Sequence, residues 1–109
     1  MPYDEKLAER IREALRGQRN VLEKRMFGGL AFMVRGHMCV GIAGDDLMVR
    51  VGPEVYAKAI REPHARPMDF TGRPLTGFVY VSPAGHARRR SLAKWVERGL
   101  GFVKSLPPK

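Results

Sequence analysis

The sequence predicts an α+β protein in which helices lie on one antiparallel sheet in two layers. Three observations carry this. Residues 25–51 hold three short apolar runs broken at Arg35-Gly36 and Gly44-Asp45, which is how an antiparallel meander is written. Two further strand-like runs, residues 68–70 and 77–81, flank the turn residues Thr71, Gly72, Arg73 and Pro74. Near both ends, apolar residues recur at helical spacing.

Taken in order, Leu7, Ile11 and Leu15 recur every four residues and predict a first helix over residues 4–16. Asp4 can accept hydrogen bonds from its first free amides, and Gly17 can close it in the left-handed conformation. Residues 20–24 are polar and are expected as an extended lead into the first strand. Gly28 and Gly29 within that strand suggest a bulge or a close backbone approach. A phosphate-cradling loop is the sharper reading of the pair, but a strand follows here where such loops need a helix.

Alternation through the meander puts Leu30, Phe32, Val34, Met38, Val40, Ile42, Leu47, Val49 and Val51 on one face, expected to meet the helices. The other face, with Ala31, Met33, Cys39 and Ala43, is too apolar to be left wet, and a second copy of the chain is its expected cover. Pro53 is placed to open a second helix with an apolar stripe of Val55, Tyr56, Ala59 and Ile60, ended by Pro63. In the later strands Phe78 and Tyr80 oppose Val79 and Val81. Pro83 and Gly85 break the chain before the last helix, whose stripe runs Leu92, Trp95, Val96, Gly99, Leu100, Val103 and Leu106 up to Pro107 and Pro108. The expected order is helix, three strands, helix, two strands, helix, in a single domain spanning residues 1–109.

Composition bounds function. A chain of 109 residues with 44% hydrophobic residues can bury an unstapled core, and no apolar run approaches the roughly 20 residues of a spanning helix. The N-terminus lacks the pattern of a secretory signal, so a cytoplasmic location is expected, in keeping with a lone Cys39 in an apolar run. Fourteen arginines and six lysines against eleven acids give a formal charge of +9, a field that favours acidic partners, nucleic acid among them.

No catalytic or metal-binding constellation emerges. His37 and Cys39 lie two apart, but neither His64 nor His86 stands at ligand spacing from them, so no metal and no cofactor is expected. Cys39 sits among apolar neighbours that disfavour a nucleophilic thiolate. Asp45 and Asp46 belong to a turn, and Asp69, charged within a short strand, is expected at solvent or in an ion pair with an arginine. Arg88, Arg89 and Arg90 are the strongest signal outside the core. They gather at the start of the final helix, where acids are normally preferred, and with its free amides they form a candidate anion or nucleic-acid patch. With Ser91 as the cap, all three would fall in the preceding turn.

Arg25, Met26, Phe27, Gly28, Gly29, Leu30, Ala31 and Phe32, then Gly36, Met38, Gly41, the run from Asp46 through Arg50 to Gly52, Arg66 to Phe70 with Asp69, and Gly72-Arg73-Pro74 resemble the TfoX N-terminal domain family. Trp95-Val96 and the closing Ser105-Leu106-Pro107-Pro108-Lys109 are similar too. The resemblance implies a two-layer fold like that of type III secretion chaperones. It also implies a non-enzymatic role related to the bacterial competence regulators TfoX and Sxy, which act with the cyclic-AMP receptor protein and carry a further helical domain. No active-site residue comes with it. The sequence is therefore expected to encode a homodimeric interaction domain that modulates transcription through a protein partner, with direct binding of nucleic-acid phosphates as the alternative.

Overall fold

A computed structural model describes residues 3–26, 28–69 and 74–107. Asp4 opens the chain as expected: its carboxylate accepts from the amides of Lys6 and Leu7 at 3.0 and 3.1 Å, starting α1 (Glu5–Ala14). Leu7, Ala8 and Ile11 are the face that α1 buries, and Gly17 takes a left-handed φ of 93° just past its end. The strands are β1 (Val21–Met26), β2 (Gly29–Val34), β3 (His37–Ala43), β4 (Asp46–Arg50), β5 (Ala65–Asp69) and β6 (Pro74–Val81). They form one antiparallel sheet in the order β1-β2-β3-β4-β6-β5. The remaining helices are α2 (Tyr56–Ala59), α3 (Pro83–His86) and α4 (Arg89–Lys104).

This is the predicted α+β class with two elements added. The polar lead before the meander is a full strand, β1, paired along its whole length with β2 from Val21↔Val34 to Met26↔Gly29. The break at Pro83 and Gly85 contains the single turn α3, with Pro83 at its first position, where a missing amide is harmless. The second helix is shorter than expected: Pro53 lies in the turn before it, Val55 is only the flanking residue, and Val55 is exposed rather than part of a buried stripe.

The principal core lies between the sheet and the helices. Leu30, Phe32, Val34, Val40, Ile42, Leu47, Val49, Val79 and Val81 meet Leu7 and Ile11 of α1 and Leu92, Trp95, Val96, Leu100 and Val103 of α4. α4 runs across β3 and β4 at close range because Gly99 has no side chain: a Cβ there would stand 2.9 Å from the Cys39 carbonyl oxygen and 3.1 Å from its sulfur.

Two face assignments need correction. Phe32 pairs with Val40 and Met33 with Met38, so Cys39 is an extra residue in β3, a bulge that reverses the alternation on its N-terminal side. Met38 therefore joins the face away from the helices, and Cys39 lies in the helix-side core. His37 is carried to the helix side as well, where its Nε2–H donates to the Pro107 carbonyl at 2.7 Å, just past the end of α4. Of the two settings expected for Asp69 it takes the solvent-exposed one; no ion pair to it is found among the described residues, and Arg66 pairs with Asp46 at 2.6 Å instead.

Candidate functional site

The face of the sheet opposite the helices carries an apolar cluster of its own. Ala31, Met48 and Met68 are fully buried there and Met38 nearly so, surrounded by the half-buried Met26, Met33, Ala43, Phe78 and Tyr80. Five of the six methionines of the chain thus stand on this one face. The strand period puts them there: Lys24 and Met26 on β1 oppose Ala31 and Gly29, Met48 opposes Tyr80, and Arg50 opposes Phe78. The middle of this face is closed over within the chain, and what reaches solvent is its rim.

That rim is aromatic and cationic. The Arg66 guanidinium lies 4.8 Å from the centre of the Tyr80 ring while bonded to Asp46. Arg50 stands between the rings of Phe78 and Phe102, at 5.3 and 5.4 Å. Each ring holds its arginine by the attraction of a cation for the aromatic face. Burial pushes the Tyr80 hydroxyl pKa up, which nearby Arg66 partly offsets. Gly52 is needed here: its φ is 91°, and a side chain would collide with Phe102. The motif residues Arg50 and Gly52 thus serve one arrangement, the seating of Phe102 against the end of β4.

The other motif residues divide between packing and surface. Gly28 has a φ of 73° in the β1–β2 connection. A Cβ on Gly29 would collide with the Ile42 carbonyl, the close backbone approach expected of the glycine pair. Arg25 is exposed on β1 and Met26 half-buried beside it. Phe27, Phe70 and Gly72 lie outside the described residues.

The arginine triplet gathers at the start of the last helix, as expected, but Ser91 is not its cap. Arg88 is the N-cap residue, with φ −84° and ψ 141° and no side-chain hydrogen bond, so Arg89 and Arg90 occupy the first turn of α4 without an acid among them. All three are exposed. Arg88 also lines a cleft of about 400 Å³ with His64, Ser91, Lys94 and Arg98, whereas Arg89 and Arg90 do not. The contribution of Lys94 and Arg98 was visible as spacing, since residues 88, 91, 94–95 and 98 form one helical stripe. Arg98 is already engaged, paired with Glu62 at 2.5 Å and stacked 4.5 Å from Trp95.

A larger groove, about 590 Å³, separates the β4–α2 connection and α2 from the second half of α4, with Val55, Lys58, Glu62, Gly101 and Phe102 along it. Cys39 is buried in the helix-side core, away from these surfaces, and that burial pushes its thiol pKa up to about 12. Among the described residues no group of three or more His, Cys, Asp or Glu side chains is placed to hold a metal. No described helix is long and apolar enough to cross a membrane.

Comparison with known proteins gives one family. The model of the TfoX N-terminal domain matches residues 13–103, from the end of α1 to the end of α4. No curated protein and no solved structure gives a significant match.

Proposed function

The chain belongs to the TfoX N-terminal domain family, and on that premise we propose that it is a non-enzymatic regulatory domain that binds a protein partner through the rim of its second sheet face. The observation carrying this reading is the composition of that rim. Met26, Met33, Phe78 and Tyr80 are half-buried beside Arg50 and Arg66. Aromatic residues, methionine and arginine are the types enriched where proteins bind one another, and methionine adapts its shape to a partner at little cost. The family's connection with competence regulation points to a component of the transcription machinery as the partner, in the cytoplasm, and the working unit is taken to be a homodimer. Replacing Met33, which is not part of the fully buried centre, by lysine tests the site: a folded Met33→Lys variant should lose the partner that the wild type retains from native lysate. Full retention contradicts the assignment.

A second reading is favoured by the start of α4. Three exposed arginines at an uncapped helix start, beside a cleft to which Arg88 and Lys94 contribute, suit the phosphates of a nucleic acid. Each phosphate neutralised on duplex DNA steepens the logarithmic salt dependence of binding by about 0.9. Titration into labelled DNA at two salt concentrations separates the readings: under this second one the slope is steep and falls when Arg88, Arg89 and Arg90 become alanine. Absent binding or a flat slope leaves the protein-binding reading alone.

A further inference from the structure

The sheet has two edges, and they are built differently. Edge strand β5 contains Pro67, which has no amide to offer, and its pairing with β6 is irregular between Pro67 and Asp69. Both features blunt an edge against pairing with another chain. Edge strand β1 has neither. Its six residues run in unbroken register with β2, its middle four are exposed, and Leu22, at 63%, is the most exposed large hydrophobic residue described.

The hydrogen-bonding groups of β1 that no described residue uses can be assigned. The Arg35 amide donates to the Asn20 carbonyl at 3.2 Å, one step beyond the Val21↔Val34 pair. Bonded and non-bonded pairs alternate along an antiparallel ladder. Leu22, Lys24 and Met26 therefore direct their amides and carbonyls toward β2, while those of Val21, Glu23 and Arg25 point off the sheet.

We propose that two copies of the chain join along these edges, β1 against β1 antiparallel, about a two-fold axis passing through Lys24. A two-fold axis perpendicular to the sheet opposes residues symmetrically about the residue it crosses, so three registers use most of the strand. With the axis at Glu23, two glutamates meet and Leu22 faces a lysine. With the axis at Arg25, two arginines meet. With the axis at Lys24, Glu23, whose carboxylate also accepts from Arg12 of its own chain, faces the partner's Arg25 and Arg25 faces the partner's Glu23, while Leu22 and Met26 meet twice on the methionine face. Only the Lys24 pair is unfavourable, and its long side chains can splay apart with their charges in water. Glu23 and Arg25 are also the residues with free backbone groups, so the charged pairs coincide with the bonded positions. The net charge of +9 on each copy opposes association, but exposed charges more than about 8 Å apart are largely screened at physiological salt.

Such a pair has one continuous sheet, with both helix layers on one side and both methionine faces on the other. The inference rests on the homodimeric reading above for the existence of a dimer, and adds where and in which register it forms. Sedimentation equilibrium of the wild type tests the first, and cysteine substitution tests the second. At the axis, Lys24 and its symmetry mate form a non-bonded pair with Cα atoms about 4.5 Å apart, close enough for a disulfide. Leu22 and its own mate are four residues out of step, about 14 Å apart. Lys24→Cys is therefore expected to give a covalent dimer under mild oxidation, and Leu22→Cys to remain uncrosslinked, with the buried Cys39 a bystander in both. Arg25→Pro removes an outward amide that β2 does not use and should weaken the dimer roughly tenfold while leaving the circular dichroism of the fold in place. A wild type that stays monomeric at high concentration overturns the dimer and its register together. A dimer in which Leu22→Cys crosslinks as readily as Lys24→Cys, or that Arg25→Pro leaves unchanged, keeps the homodimer and overturns this edge.

Discussion

Glycine 99 shows how much a single absent side chain can decide. It lets α4 approach β3 until the space for a Cβ is filled by the Cys39 carbonyl and sulfur at 2.9 and 3.1 Å. Gly101, two residues on in the same helix, has nothing within 4 Å of that position and is exposed. The same substitution should act in opposite directions. Gly101→Ala removes a helix penalty of up to about 1 kcal/mol and should raise the melting temperature. Gly99→Ala gains as much in propensity but forces the bulge at Cys39 to move, an overpacking cost of about 1–3 kcal/mol, and should lower it. Thermal denaturation of both variants checks the packing of α4 on the sheet. Cys39 offers a measurement of the same site by pH. Its folded thiol pKa is raised from 9.0 to about 12, chiefly by burial. The raised value makes the unfolded chain the better acid, so this contribution to stability is intact below about pH 9 and is lost as pH rises toward 12. A thiol reagent at pH 9 should leave the native protein unmodified and react once it is denatured. Glu23 works with the opposite sign. Its carboxylate accepts two bonds from Arg12 at 2.7 and 2.8 Å, which lower its pKa below 4.5, so its contribution is present above that value and lost as pH falls. Both side chains are well exposed, which keeps that contribution below about 1 kcal/mol.

At the scale of elements, α4 is the helix whose sequence and position disagree most. It begins with Arg88 in the cap position and arginines in its first turn, where the helix dipole favours acids. Arg88→Asp supplies both a capping oxygen and the favourable charge, and should stabilise the protein by about 0.5–2 kcal/mol. A melting temperature unchanged or lowered by that substitution would argue that the arginine makes a contact worth more than a cap. The elements also show what the sequence could disclose. Alternation in β2, β4 and β6 and the stripes of α1 and α4 were legible because each buries one face against the main core. β1 was not legible as a strand: it is an edge, its Glu23, Lys24 and Arg25 are exposed, and a strand with little burial carries no alternation of hydrophobicity. The Cys39 bulge was equally silent, because Met38, Cys39 and Val40 are all apolar and any of them fits either face. The seating of Arg50 between Phe78 and Phe102 brings together three distant stretches of chain, and nothing local to any of them announces it.

For the whole molecule, the two sides of the sheet divide the labour. The helix side holds the larger core and the buried thiol. The other side closes its centre with methionines and leaves a rim of rings and guanidinium groups. On our reading the α4 arginines lie outside the contact, so partner binding and the basic patch should separate cleanly by mutation. The most direct measurement compares the affinity of the captured protein partner for the wild type, for Met33→Lys, and for the variant with Arg88, Arg89 and Arg90 all changed to alanine. Met33→Lys should lose binding at least tenfold, about 1.4 kcal/mol, while the triple alanine variant should bind as the wild type does. The reverse result, with Met33→Lys unaffected and the alanine variant unable to bind, contradicts it and moves the site to the start of α4.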